Sequence, residues 1–136
     1  MIEKLILTRK HWQAMRRHVA RRVPLEACGL LGGKNSQVVI TLGVPNSERS
    51  PVRFCMDARE QWRAFKSIEA AGLELVGIYH SHPNGPANPS PTDVAEATYA
   101  AVQVIWQRQE GRWAARGFWI EGGKVTEVAL QVMEAE

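Results

Sequence analysis

The sequence predicts an α/β fold in which helices pack against a mixed β-sheet. Three observations carry this. Apolar residues recur at spacings of three and four over residues 8–22 and 57–72, the period of a helix. Other segments alternate at two or run apolar without a break, as strands do. Strands and helices alternate early while hairpins dominate late, so the sheet is mixed.

Residues 3–7 alternate and read as the first strand. Thr8 caps a helix running to about Arg22, with Trp12, Met15, Val19 and Val23 on one face and Pro24 ending it. Gly29–Gly32 and Gln37–Thr41 are two short strands turning at Lys34-Asn35. Residues 44–51, with two prolines, two serines and Asn46, form a loop, and Val52–Met56 a further short strand. Asp57 caps a second helix, with Glu60 completing a capping box; Ala58, Trp62, Phe65 and Ile68 line its inner face, and Gly72 stops it. Leu73–Tyr79 is almost wholly apolar, the pattern of a central strand covered on both faces. A loop with four prolines over 83–91 precedes a third helix at about 91–100. Strands near 102–108, 112–120 and 125–133 close the chain, with turns at Glu110-Gly111 and Gly122-Gly123.

With 136 residues, 45% hydrophobic and 23% charged, the expectation is one domain over 1–136. The first residues lack the apolar run and cleavage site of a signal peptide, and no apolar stretch approaches the ~20 residues that span a bilayer, so a cytoplasmic protein without a membrane role is expected. Cys28 and Cys55 are expected to be reduced and buried. The net charge is +3, and the excess lies in Arg9, Lys10, Arg16, Arg17, Arg21 and Arg22 of the first helix. No nucleic-acid-binding motif accompanies them, so they read as a solvated face, with docking of an acidic protein partner as the alternative.

The chemistry concentrates in Gly77-Ile-Tyr-His-Ser-His-Pro-Asn-Gly-Pro-Ala-Asn-Pro-Ser-Pro-Thr-Asp93. His80 and His82 lie two apart at a strand end, so both imidazoles leave the same face and reach one ion from one direction. Asp93 sits in the first turn of the next helix. Two imidazoles and a carboxylate give three protein ligands and leave a fourth tetrahedral position for water, the pattern of catalytic rather than structural zinc. Ser90-Pro91-Thr92-Asp93 is also a well-formed helix start, with Ser90 as N-cap, so capping competes with metal binding for the Asp93 carboxylate. Activating a water requires a base, and Glu26, just before a glycine-flanked apolar strand, is the best-placed acid outside the metal loop.

These residues resemble the JAMM (MPN+) metalloprotease family. That family is marked by an upstream glutamate, then H-x-H, ten residues and an aspartate, with a serine three positions before the aspartate. Glu26, His80, His82, Ser90 and Asp93 supply every position. Pro83 and the stretch Glu26-Ala-Cys-Gly-Leu-Leu-Gly32 are similar to the small stand-alone prokaryotic members. The resemblance implies a cytidine-deaminase-like three-layer fold and Zn2+ held by His80, His82 and Asp93. It implies Glu26 as general base and acid and Ser90 as oxyanion stabiliser. The implied reaction is hydrolysis of a peptide or isopeptide bond, at the C-terminal tail of a ubiquitin-like or sulfur-carrier protein. Larger members carry insertions for binding ubiquitin chains where this sequence has only residues 44–57.

Three alternatives belong to other classes: a non-catalytic scaffold on the same fold, a 2-His-1-carboxylate iron enzyme, and a zinc nucleobase deaminase, which would need a P-C-x-x-C run that neither cysteine provides. Outside the motif, His11 and His18 lack a partner acid and read as surface residues, and the five tryptophans as core or rim. Ser81 points away from its flanking histidines, as a backbone support. Loops 44–52 and 83–89 are expected to flank the site and contact substrate.

Overall fold

The computed structural model describes residues 1–134, so residues 135 and 136 of the expected domain range lie outside the described residues. The elements run β1 (Lys4–Thr8), α1 (Arg9–Arg22), β2 (Cys28–Lys34), β3 (Gln37–Val44), α2 (Ala58–Ala70), β4 (Glu74–His82), α3 (Pro91–Glu96), β5 (Val102–Gln109), β6 (Arg112–Glu121) and β7 (Lys124–Met133). The strands are ordered β1-β3-β2-β4-β5-β6-β7, and β1 pairs in parallel with both β7 and β3, closing the sheet into a barrel. The mixed sheet with helices against it is as expected. Its closure through β1 was not, because it rests on a pairing as slight as Ile6 against Gln37 at one seam.

The helix starts follow from local chemistry. The Thr8 side chain accepts from the His11 backbone N–H, and His11 Nδ1 faces the Thr8 backbone N–H in return. His11 Nε2 reaches the Val39 carbonyl and His18 Nδ1 the Tyr79 hydroxyl, so neither histidine is the free surface residue expected. Met15 and Val19 bury one face of α1 among residues from all seven strands, while its six basic residues are exposed as expected. Asp57 caps α2 by accepting from the Glu60 N–H. The reciprocal half of the expected box is missing, because the Asp57 N–H donates to the Pro45 carbonyl and the Glu60 carboxylate pairs with Arg63.

α2 lies on the opposite face of the sheet, with Ala64 and Ile68 against Leu30, Val44 and Ile78. Trp62, expected on its inner face, is 60% exposed, with the Lys66 ammonium over its ring. Gln61, Ala64, Phe65 and Ile68 form the inward stripe instead, rotated from the expected one by the seat of Ala64 on the sheet. Ile68→Ala is expected to cost about 2–5 kcal/mol in urea unfolding, whereas Trp62→Ser should stay within about 0.5 kcal/mol. Equal costs would contradict this packing.

Two further elements differ. Residues 52–56 form no strand: they bend over the sheet with one bridge, Met56 to Asn46, because the Asn46 side chain takes the backbone groups of Arg53 and Cys55 that a strand would use. Cys55 on this segment is exposed rather than buried. α3 ends at Glu96 instead of near 100, since it buries no residue that would reward continuing and Ala97 is already extended.

β4 sits between β2 (antiparallel) and β5 (parallel) and is buried from Val76 to Ser81. A bulge opposite Leu31/Gly32 lets Val76 enter the α1-side core, after which Tyr79 stays on that side and Ile78 turns to the α2 side. The alternation then carries His80 and His82 out on the α2 face, as their spacing required. Gly29 on β2 permits this layering: a Cβ there would collide with the Tyr79 ring and the Leu42 carbonyl oxygen.

Candidate metal centre

Strand β4 ends by presenting His80 and His82, and the loop with four prolines returns the chain so that the first turn of α3 faces them. His80 Nε2 lies 3.0 Å from His82 Nε2, and Asp93 Oδ2 lies 3.2 Å from each. His80 is 1% exposed, with its ring stacked under Phe54 at 4.4 Å.

The ring orientations fix what can occupy the centre of this triangle. His82 Nδ1 lies 2.8 Å from the Pro86 carbonyl oxygen, which only accepts, so Nδ1 carries the hydrogen and a neutral ring turns its Nε2 lone pair toward Asp93. The Nε2 atoms of two imidazoles and one carboxylate oxygen thus converge. Tetrahedral zinc with ligand bonds near 2.0–2.1 Å places neighbouring donor atoms about 3.3 Å apart, close to the observed triangle. The donor set fits the ion.

The capping account and the metal account do not compete for Asp93. Its Oδ2 accepts the Ser90 backbone N–H at 2.8 Å while facing both histidines, and Ser90 Oγ accepts the Asp93 N–H at 3.0 Å. The cap aims the carboxylate. Burial acts to raise the Asp93 pKa, but the His80 and His82 rings, when protonated, and the Ser90 amide outweigh it and hold the carboxylate well below the usual range. In His80 burial prevails and lowers the pKa; in His82 burial is outweighed by Asp93 and the Pro86 carbonyl, which raise it.

Glu26 is 3% exposed and offers a carboxylate oxygen within 4.8 Å of the ring nitrogens of both histidines. Glu26, His80 and His82 therefore also form a possible ligand trio, but Asp93 is closer to both imidazoles, which leaves Glu26 beside the centre rather than in it. Desolvation pushes the Glu26 pKa up to about 7; His82 works against the shift and the Asp93 charge adds to it. A carboxyl balanced near neutrality can both take and return a proton. Ser81, between the ligands, points to the other side and accepts the Ala27 N–H with its hydroxyl at 2.8 Å, supporting the backbone next to Glu26.

Two cavities meet at the centre. One of about 270 Å³ is lined by Phe54, Met56, Ile78, Tyr99, His80 and Asp93; the other, about 300 Å³, by Glu26, Pro51, His82, Pro86 and Pro89. Val52 and Ser90 line both, and Pro51 and Val52 face Asn84, Pro86 and Pro89 across the second, so loops 44–52 and 83–89 flank the site as expected. Arg53 spans the opening to pair with Glu96 of α3 at 3.0 Å. Asn46 and Phe54 were not legible from the sequence, since one acts on main-chain groups and the other on a ring far along the chain.

The description "prokaryotic homologs of the JAB domain" matches residues 8–120. A Thermus thermophilus protease named for cleaving TtuB–protein conjugates is 39% identical to this chain over 87% of it and 76% of its own length. The CysO-cysteine peptidase of Mycobacterium tuberculosis is 38% identical over 89% of this chain and 86% of its own. A solution structure from Desulfitobacterium hafniense superposes with a TM-score of 0.86 at 32% identity, covering 96% of this chain and 94% of that one.

Proposed function

The chain belongs to the family of prokaryotic JAB-domain proteins, and on that premise we propose that it is a zinc metallopeptidase acting at the C-terminal tail of a ubiquitin-like or sulfur-carrier protein. The observation that carries the proposal is the convergence of His80 Nε2, His82 Nε2 and Asp93 Oδ2 to within 3.2 Å of one another, beside a buried acid and between two cavities. His80, His82 and Asp93 would hold the ion. A zinc ion held there lowers the pKa of a water and polarises a carbonyl. Glu26 takes the water's proton on its carboxylate and hands it to the departing amine. Ser90 accepts the Asp93 amide with its oxygen and so keeps its O–H free to donate to the developing oxyanion.

The names of the T. thermophilus and M. tuberculosis relatives support a protein conjugate or carrier as substrate. Within this reading the fold is a cytidine-deaminase-like three-layer arrangement in one domain over 1–136. It is supported by α1 on one face of the sheet and α2 on the other.

Ubiquitin-like carriers bearing a C-terminal peptide extension, incubated with the purified protein and followed by mass, test the proposal. Loss of the extension's mass without chelator, and none with it, is expected; intact carriers in both arms would sink it. One zinc per chain by elemental analysis separates this reading from a scaffold. Ser90→Ala is expected to slow turnover about 10²–10³-fold and to cost about 1 kcal/mol through the lost cap, with zinc retained. Unchanged kcat would remove Ser90 from the reaction.

A further inference from the structure

The Asn46 side chain is buried and uses its full hydrogen-bonding capacity. Its Nδ2 donates to the Glu26 carbonyl and to the Arg53 carbonyl, each at 3.0 Å, and its Oδ1 accepts from the Glu48 and Cys55 N–H groups, each at 3.0 Å. The four partners belong to two different things. One is the segment that carries Glu26; the other is loop 47–55, which brings Phe54 onto His80 and Arg53 across to Glu96. The Glu26 N–H donates to the Ser50 carbonyl at 2.7 Å. Both main-chain polar groups of Glu26 are therefore held by residues 46–50 and neither by the sheet, because β2 begins only at Cys28. None of the Asn46 bonds reaches His80, His82 or Asp93.

We propose that Asn46 is a positioning residue of the site: one of its donor bonds places Glu26 against the metal triad, while the other, together with its acceptor, holds the roof loop. The inference rests on Glu26 serving as the proton carrier of the proposed peptidase. It follows from the wiring, since a single amide links two parts of the site that have no strand in common. A group that moves a proton is useful only within hydrogen-bond reach, and a shift of about 1 Å costs about 10²-fold in rate.

Two substitutions weight the halves differently. Asn46→Asp keeps the acceptor for Glu48 and Cys55 but replaces the donors to Glu26 and Arg53 by an oxygen facing two carbonyls. It is expected to lower kcat about 10²-fold on a ubiquitin-like carrier with a C-terminal extension, with KM raised less than in Asn46→Ala, because only the Arg53 bond of the roof is lost, and one zinc per chain kept. Asn46→Ala is expected to lower kcat similarly and to raise KM further, because the bonds to Arg53, Glu48 and Cys55 are all lost from the roof. Hydrogen exchange followed by NMR provides a readout without substrate: faster exchange at the Glu26 amide in both variants, at Glu48 and Cys55 only in Asn46→Ala, and at no β4 amide in either. Should Asn46→Ala fail to fold, Asn46→Asp alone decides. Wild-type kcat in Asn46→Asp, or a drop accompanied by lost zinc or faster β4 exchange, would overturn the assignment and leave Asn46 a packing residue. If wild type itself leaves the carrier intact, the peptidase reading fails, while the Glu26 exchange still judges the wiring.

Discussion

Glu26→Gln is expected to retain one zinc per chain and to lower kcat by about 10²–10⁴-fold, the range that a positioned acid–base group contributes. The two side chains have the same shape and the site is packed, with Glu26 3% exposed, so fold and metal site should persist. What disappears is a group that can accept a proton. Burial raises the carboxyl to about 7, toward the range in which one residue can serve as base and then as acid. An amide can do neither. Zinc stoichiometry and single-turnover rate on the same preparation settle the matter: full turnover in Glu26→Gln would exclude this acid, and loss of zinc would recast it as a ligand, the role its approach to within 4.8 Å of both histidines also permits.

Asp93→Asn is expected to lower zinc affinity by more than about 10²-fold, exceeding the usual effect of altering a group behind a ligand, and to abolish turnover at limiting zinc. The carboxylate meets two imidazoles at 3.2 Å and supplies the only formal negative charge within the triangle. The same oxygen closes the cap of α3 by accepting the Ser90 amide at 2.8 Å, and an asparagine oxygen can still do so. Stability without metal should therefore change by about 1 kcal/mol or less. Zinc titration and urea unfolding of the metal-free protein would separate the two roles. If Asp93→Asn bound zinc as wild type does, the third ligand would have to be sought elsewhere, with Glu26 the nearest candidate.

Asp93 also shows how far the sequence could be read. Spacing predicted a helix start at Ser90 and a metal ligand at 93, and treated them as rivals. The three-dimensional arrangement makes one oxygen do both, because the α3 cap points its carboxylate across to β4. Trp62 is the opposite case: the helical period placed it inward with Phe65 and Ile68, but the sheet seats Ala64 and turns the indole to solvent.

What the sequence determined by itself was whatever depends on neighbours along the chain. The two-residue strand period sends His80 and His82 to one side, the caps at Thr8, Asp57 and Ser90 set helix starts, and glycines with positive φ make the closing turns. Only the tertiary structure decided the bulge beside Val76, the approach of Glu26 to a triad more than fifty positions away, the hydrogen-bonded loop in place of a strand at 52–56 and the four bonds of the Asn46 side chain. Each rests on hydrogen bonds or contacts between distant segments, whose free energy comes from burial and has no local period to mark it.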